Sequence, residues 1–226
     1  MIPGWYQPPA ETPPPCRHRF LTLLEINFCG GLLTPFFIPI ENLSSLEVID
    51  IRGLRCVGAI SRKLLDLHRA HPFKHLRRLN LADLVVNRGH IMEVIRSTPT
   101  IDHLCFNYCR ILSDDFLSSL IVSTNRPLLL PRLLLVHIIE WSPTDVKDET
   151  ILELVKSRWI GGENGLVERL GGFIYQIAYV RVDDKRAVND TTLKELRAIR
   201  EGGLNLEIPG LVEDSSEEED EGEDDD

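Results

Sequence analysis

Residues 76–84 read LRRLNLADL, and residues 101–109 read IDHLCFNYC. In both stretches large apolar residues occupy the first, fourth and sixth positions, and the residues between them are mostly polar. Side chains two residues apart, such as Leu79 and Leu81, point to the same side of a β-strand. The two stretches therefore predict equivalent strands, each with one buried side and one side open to solvent.

The same frame recurs on both sides of these stretches. Five copies begin 25, 30, 25 and 29 residues apart, and a sixth, weaker copy follows. The apolar positions of the copies are Leu21, Leu24, Ile26 and Cys29; Leu46, Ile49, Ile51 and Leu54; Leu76, Leu79, Leu81 and Leu84; Ile101, Leu104, Phe106 and Cys109; Leu130, Leu133, Leu135 and Ile138; and Ile177, Val180 and Val182. Near-regular spacing of this length is typical of leucine-rich repeats, whose units stack because one unit cannot bury its apolar side alone. We therefore predict an α/β leucine-rich-repeat solenoid, with a parallel concave sheet and helices on the convex side.

The ninth position of the frame usually holds Asn or Cys, whose side chain satisfies backbone groups where the chain leaves the strand. Two copies fit, with Cys29 and Cys109, and three copies carry Leu or Ile instead. This departure predicts an irregular arc.

Helical patterns lie between the strands, at residues 60–67, 113–122, 148–156 and 191–199. Ser113 suits an N-cap, and the acidic pair Asp114–Asp115 suits the positive end of a helix. The link at 32–42 contains two prolines and predicts irregular structure. Glycines from Gly161 to Gly172 predict a long loop before the sixth strand, and residues 204–208 predict a last short strand.

The charge of the chain is concentrated at one end. The net charge is −10, but residues 213–226 carry eleven acids, which leaves 24 acids and 25 bases in the remainder. We divide the chain into a Pro-rich extension (1–15), a leucine-rich-repeat domain (16–210) and a disordered acidic tail (211–226). A body that is close to neutral argues against nucleic acid as a partner, because phosphate binding needs clustered surplus Lys and Arg.

Five cysteines, an odd number, follow a start that has no secretory leader, and no uncharged stretch is long enough to cross a bilayer. These features predict free thiols, a cytoplasmic or nuclear location, no contact with a membrane, and a monomer outside a complex.

No residue pattern indicates catalysis, a cofactor or a metal. His68 and His71 have a spacing that could share a metal, but no third ligand accompanies them, which favours a solvated pair on the convex side. Cys105 and Cys109 flank one strand and point to different places, so a zinc or redox pair is not expected; Cys105 alone could be an exposed, reactive thiol. The run Gly161–Gly165 lacks the Lys-Ser/Thr ending of a phosphate-binding loop. We expect a protein that is not an enzyme.

The outward positions of the frame predict a protein-binding concave face. It mixes both signs of charge with aromatic and apolar residues, which suits a protein better than a polyanion. The predicted face residues are Glu25, Asn27, Asp50, Arg52, Arg78, Asn80, His103, Cys105, Asn107, Arg132, Leu134, Val136, Tyr179, Arg181 and Asp183. The alternative is that these are only solvated strand residues.

Ser215 and Ser216 each have an acid three residues downstream, the pattern of an acid-directed kinase such as casein kinase 2. This pattern predicts phosphorylation of both serines, and the alternative is a tail that acts only as a solubilising spacer.

Two further stretches carry a resemblance to a known family. Together with the repeats, Leu152–Trp159 (LELVKSRW) and Leu193–Ile208 (LKELRAIREGGLNLEI) resemble the C-terminal half of mushroom-type fungal F-box proteins, over roughly residues 17–210. The resemblance implies a substrate-recruiting adaptor of an SCF-type ubiquitin ligase, in which an N-terminal F-box docks on Skp1 and the repeat arc holds the target. No LPxE-type F-box opening precedes the first repeat, so docking on Skp1 requires an F-box encoded upstream of Met1.

Two other classes of function stay open. The arc and the acidic tail suit a standalone scaffold, near chromatin for instance, where acidic tails meet basic histones. An enzyme with an unrecognised site is the other class, and the sequence offers nothing in its favour.

Overall fold

The computed structural model describes residues 21–28, 43, 45–56, 59–140, 144–159, 161, 166–169, 172–183 and 187–211. The elements found there are, in chain order, β1 (Leu23–Phe28), β2 (Val48–Cys56), α1 (Ala59–Ala70), β3 (Arg78–Leu84), α2 (Arg88–Ser97), β4 (His103–Asn107), α3 (Asp114–Leu120), β5 (Leu135–Ile139), α4 (Asp148–Arg158), β6 (Leu166–Arg169), β7 (Gly172–Tyr175), β8 (Tyr179–Asp183), α5 (Asp190–Glu201) and β9 (Asn205–Glu207). The Pro-rich residues 1–15, the link at 32–42 and the acidic residues 212–226 lie outside the described residues.

Seven strands form one open sheet in the order β1-β2-β3-β4-β5-β8-β9, and every neighbouring pair in it is parallel. Spatial order follows chain order, so each unit lies beside the one that precedes it. Helices connect the strands from β2 onward, because parallel neighbours need a crossover connection. The predicted α/β class and parallel sheet are confirmed, and the arrangement is compatible with a solenoid.

The core lies between this sheet and the helices. Alternate strand residues such as Leu79, Leu81 and Leu104 are fully buried, and they share one cluster with Leu64 of α1 and Ile91 of α2. The crossovers of a parallel sheet share one hand, which places the described helices on the side to which these residues point. The other side of the sheet is called the open face below.

One pattern of backbone hydrogen bonds joins each unit to the next. A carbonyl just before each strand accepts the N–H groups of two consecutive residues in the following unit, at 2.8–3.2 Å. Thr22 accepts from Glu47 and Val48, Glu47 from Arg77 and Arg78, Arg77 from Asp102 and His103, Asp102 from Leu134 and Leu135, and Leu134 from Ala178 and Tyr179. Five successive junctions of the same kind make residues 22, 47, 77, 102, 134 and 178 structurally equivalent.

This equivalence corrects the fifth copy of the frame. Its first position is Leu133, whose N–H donates to the carbonyl three residues earlier, as the N–H groups of Leu46, Leu76 and Ile101 do in their units. The buried strand residues are then Val136 and Ile138, and Leu135 faces outward. The predicted frame, beginning at Leu130, was wrong by three residues, because the run LLLPRLLLV at 128–136 fits several frames.

The turn that follows the strand is alike in the third and fourth copies. Asp83 and Tyr108 occupy the eighth position of the third and fourth copies, and both adopt left-handed backbone conformations, with φ of 55° and 58°. At the ninth position the thiol of Cys109 donates to the carbonyl of Leu81 on the neighbouring strand, with an S···O distance of 3.2 Å. This contact is the backbone role that the frame assigns to its ninth residue. Cys29 lies outside the described residues.

The four predicted helices are confirmed as α1, α3, α4 and α5, and the predicted last strand is β9. Helix α3 starts after the N-cap Ser113, whose side chain accepts the N–H of Phe116. Helix α2 was not predicted, although the N-cap Asn87 and four buried apolar residues mark it. The predicted long loop before the sixth strand was wrong in part, because β6 and β7 form an antiparallel hairpin there.

Candidate binding face

The strand register arranges the side chains of the open face in three rows that run across the sheet. The first row is Leu23, Val48, Arg78, His103, Leu135, Tyr179 and Asn205. The second row is Glu25, Asp50, Asn80, Cys105, His137, Arg181 and Glu207. The third row is Asn27, Arg52, Ala82, Asn107, Ile139 and Asp183. Neighbours within a row lie on adjacent strands about 4.8 Å apart, so each row is a nearly continuous strip of side chains.

Most of the predicted face residues are found in these rows, and the correction falls on one unit. Arg132 and Leu134 precede β5 and are absent from the rows, and Val136 is fully buried. The physical reason is the shift of the fifth frame by an odd number of residues, which exchanges the two sides of a strand. Leu135, His137 and Ile139 take their places. The binding role of the face stays a prediction.

Sequence reasoning also missed face residues outside the fifth unit. Val48 and Ala82 were left out, although the predicted list did include apolar residues such as Leu134, and Glu207 was left out because the last strand was not aligned with the frame. The rule that residues two apart share one side of a strand would have found all three.

A charged cluster lies at the β1–β2 end of the face. Asp50 accepts two hydrogen bonds from the Arg52 guanidinium, both at 3.0 Å, and one from the Asn80 amide nitrogen at 2.8 Å. Burial would raise the pKa of Asp50, but these hydrogen bonds and the charges of Arg52 and Arg78 outweigh burial, so its pKa lies below the usual value. Asp50 and Arg52 are therefore both charged at neutral pH, and their charges largely neutralise each other.

A second polar cluster lies at the β5–β8–β9 end. Arg181 and Glu207 form an ion pair with an N···O distance of 3.0 Å, and the rings of His137 and Tyr179 meet edge to face with centroids 6.2 Å apart. Burial, together with the hydrogen bond and charge of Glu207, raises the pKa of Tyr179. Burial, followed by the nearby Arg181 charge, lowers the pKa of His137 in spite of Glu207. His137 is accordingly a neutral imidazole at neutral pH.

The middle of the face lies between these two clusters. Four buried side-chain atoms in the described ranges have no hydrogen-bond partner, and three of them are here: Asn80 Oδ1, Asn107 Oδ1 and His137 Nε2. Cys105 lies beside them and is half-buried. Burial raises the pKa of its thiol, and the positive charge of Arg78 opposes this effect only in part. The thiol is therefore in the protonated, less nucleophilic form. Cys105 is thus half-buried, whereas an exposed thiol was expected, and its reactivity stays a prediction.

The predicted face residue His103 lies at the margin. Its Nδ1 hydrogen bonds the buried carboxylate of Asp102, which Arg77 also binds at 2.6 Å. This trio fixes the orientation of the imidazole at the beginning of β4. His103 can contact a partner by its ring, which stays about a quarter exposed.

The predicted solvated histidine pair is wrong for His68, whereas His71 is half-buried. His68 is buried, its Nδ1 accepts the backbone N–H of Phe73 at 3.4 Å, and its Nε2 lies 2.7 Å from the hydroxyl of Ser97. Because Nδ1 accepts, the ring proton lies on Nε2 and is donated to Ser97. Within the residues that the structure describes, no three His, Cys, Asp or Glu side chains form a group that could hold a metal ion.

Comparison with known proteins identifies no relative: no family model, no curated protein and no solved structure matches the chain. Among the described helices, none is both long and apolar enough to cross a membrane. Ser215 and Ser216, the predicted phosphorylation sites, lie outside the described residues.

Proposed function

We propose that this chain is a leucine-rich-repeat arc that binds another protein on its open face and is not an enzyme. The observation that supports this most directly is the sheet, in which seven parallel strands in register present three rows of mixed side chains. The repeated backbone junctions and the thiol contact of Cys109 agree with the leucine-rich-repeat assignment. Arcs of stacked repeats use such extended surfaces for binding.

The charges of the face favour a protein over a polyanion. Arg52 and Arg181 are each engaged by a carboxylate of the same face. Of the basic residues in the three rows, that leaves Arg78 as the one without an acid of the face as a direct partner. A phosphate-binding surface needs several uncommitted cations, whereas a protein interface accommodates mixed, internally paired charge.

In its most specific form, the proposal is that the open face is the substrate-recognition surface of an F-box adaptor in an SCF-type ubiquitin ligase. Its support is the resemblance of Leu152–Trp159 and Leu193–Ile208 to that family. The first stretch lies in α4 and its C-cap, and the second runs through α5 and β9. Skp1 would be a partner only through an F-box encoded upstream. Co-purification of Skp1 and a cullin with the product of the extended reading frame tests this form.

A standalone scaffold with a histone-binding tail is the second proposal, and the eleven acids in residues 213–226 favour it. Both proposals place the protein in the cytoplasm or the nucleus. Binding of purified histones that weakens with salt and disappears on deletion of residues 213–226 would support the scaffold. Histone binding that survives the deletion would contradict it.

The role of the open face itself is tested by a matched pair of charge reversals. Arg78→Glu changes an exposed residue of the first row, and Arg62→Glu changes an exposed residue of α1 on the helical side. Proteins retained by the wild-type chain and by Arg62→Glu, but lost from Arg78→Glu, would identify partners of the open face. Equal retention by both variants would contradict binding through this face.

A further inference from the structure

The middle of the open face differs chemically from both of its ends. We define the central patch as Asn80, Ala82, Cys105, Asn107, His137 and Ile139, which lie in the second and third rows on β3, β4 and β5. None of the six carries a fixed charge, whereas the flanks carry Glu25, Asp50 and Arg52 on one side and Arg181, Asp183 and Glu207 on the other. Three adjacent strands place the outer Cα atoms of the patch about 10 Å apart, which is the width of two or three residues of an extended chain.

The unpartnered atoms of this patch are hydrogen-bonding groups without a counterpart. The amide nitrogen of Asn80 is committed to Asp50 at 2.8 Å, so its Oδ1 turns away from that carboxylate and is left as a free acceptor. Asn107 Oδ1 and His137 Nε2 also have no hydrogen-bond partner. Asn107 lies two strands, and His137 one strand, from Arg181, which is paired with Glu207. Native proteins rarely leave buried polar atoms unpaired, and their concentration in one patch needs an explanation.

These three atoms lie beneath neighbouring side chains, yet a partner can reach two of them, those of Asn107 and His137. The terminal torsions of Asn and His are broad, and for Asn107 and His137 a rotation about χ2 exchanges the buried and the outer atom at little cost. Asn80 keeps its orientation, because its amide nitrogen is held by Asp50.

We infer that the central patch receives an uncharged, hydrogen-bond-donating segment of the partner protein, such as a stretch carrying Asn, Gln, Ser or Thr between small or apolar residues. This inference rests on the proposed binding role of the open face. A charged group is disfavoured here, because it would lose its hydration without gaining an opposite charge in the patch. Among the acids of the flanks, Asp50 and Glu207 already have cationic partners.

The lowered pKa of His137 agrees with this chemistry, since a neutral imidazole accepts or donates one hydrogen bond without bringing a charge into the patch. Ile139 and Ala82 supply the apolar contacts on either side of Asn107. The flanking charges then act on selectivity, because they repel a segment whose outer residues carry the wrong sign.

The test uses a phage-displayed library of random 12-residue peptides, selected on the full-length chain. Selected peptides are expected to be enriched in Asn, Gln, Ser or Thr and to bind with little dependence on salt. Asn107→Leu keeps the size of the side chain but removes the acceptor, and it is expected to weaken the selected peptides by roughly tenfold or more. Asn107→Asp keeps an acceptor and adds charge, so it is expected to shift selection toward peptides with Lys or Arg.

The failures of the two proposals can be told apart. Peptides rich in charged residues, lost from Arg78→Glu but not from Asn107→Leu, would overturn this inference and leave the binding role of the face standing. Peptides that bind both variants as well as the wild type would overturn both. A library that yields no binder overturns the inference about the patch.

A second measurement uses the wild-type chain, so its result does not depend on whether a variant folds. Long-range ¹H–¹⁵N spectra of the histidine rings report the hydrogen bonding of His137 Nε2. A shift of this nitrogen on adding a selected peptide is the expected result. An unchanged signal would overturn the inference. So would a signal that already shows, in the free protein, a hydrogen bond between this nitrogen and a buried water.

Discussion

Different interactions stabilise two successive junctions of the sheet, the one between the third and fourth units and the one between the fourth and fifth units. Between the third and fourth, Leu79 lies beside Leu104 and Leu81 beside Phe106, and a thiol completes the turn. At the next junction, two buried charged side chains reach back from the fifth unit: Glu140 after β5 and Arg158 at the end of α4. Where the repeat keeps its length, apolar stacking is joined by one ion pair, between Arg77 and the buried Asp102. Where the length grows, charged side chains take up carbonyl and N–H groups that the longer connection leaves unpaired.

Arg158 stabilises the longer connection, which runs from α3 to β5. Its guanidinium donates to the carbonyls of Leu120, Leu129 and Leu130 at 2.7, 2.6 and 3.0 Å. Burial lowers its pKa to about 10, so the group stays charged at neutral pH. Leu130 has a left-handed backbone, with φ of 51°, a conformation that L-residues seldom adopt without support from their surroundings.

The largest expected effect is therefore on Arg158→Met. The variant keeps much of the buried volume but leaves three carbonyls without a donor, and we expect a loss of about 4 kcal/mol in the free energy of unfolding. Urea denaturation followed by circular dichroism measures it. Arg126→Met is the matched control, because Arg126 also donates to a carbonyl, that of Ser118, but is exposed. A loss below about 1 kcal/mol for Arg158→Met would contradict the role assigned to its guanidinium.

Glu140 is the second charged side chain of this junction. Its carboxylate accepts the backbone N–H groups of Arg110, Ile111 and Leu112 at 2.8–3.2 Å, where the chain turns after β4. Glu140→Gln replaces one acceptor oxygen by an NH₂ that faces a donor, and we expect a loss of about 2 kcal/mol in unfolding free energy. Thermal or urea unfolding measures this loss. Glu153→Gln, on the exposed side of α4, is the control, and an equal effect of the two variants would contradict the prediction.

How far the sequence could lead is clearest at these same junctions. The third and fourth copies were placed correctly because each has a single apolar residue at each required position. The fifth was misplaced because six leucines surround Pro131 in the run at 128–136, and periodicity alone cannot choose among its frames. The choice is made by Arg158, which binds the Leu130 carbonyl and keeps that residue in the turn. Contacts of one side chain with distant backbone carbonyls leave no periodic signal in a sequence.

The central patch was only half accessible to sequence reasoning for the same reason. Asn80, Cys105 and Asn107 were predicted as outward residues, because their frames were right. His137 and Ile139 were missed with the frame of the fifth copy. That the polar atoms of the patch lack partners depends on three-dimensional neighbours, chiefly on Asp50 holding the amide nitrogen of Asn80.

The regular part of the stack has its own buried polar group, His68, and it predicts a pH dependence. Burial lowers the pKa of His68 below its ordinary 6.5, against the weaker attraction of Glu93. As the pH falls, the unfolded chain takes up the proton first, so the contribution of His68 to stability is constant above about pH 6.5 and is lost as the pH falls below it.

We expect the contribution of His68 to this loss to be at most about 1.4 kcal/mol per pH unit, because one proton is involved. His68→Gln keeps a side chain that can hydrogen bond Ser97 and is expected to flatten the profile between pH 6.5 and 5. The measurement is the midpoint of urea unfolding at a series of pH values, with His75→Gln, an exposed residue, as the control. A profile as steep in His68→Gln as in the wild type would contradict the assignment.

The smallest expected effect comes from the same helix as the largest. Lys156 lies two residues before Arg158, and its ammonium forms an ion pair with Glu195 of α5 in which both side chains are about half exposed. We expect Lys156→Met to change the unfolding free energy by no more than about 0.5 kcal/mol, since solvent already stabilises both charges, and we expect salt to reduce this change further. Both variants remove one positive charge from α4 and insert the same residue, so their difference isolates burial. The measurement is the unfolding free energy of both variants at low and at high salt. A loss for Lys156→Met as large as that for Arg158→Met would contradict the comparison, because charge alone, rather than the buried carbonyl contacts, would then stabilise the junction.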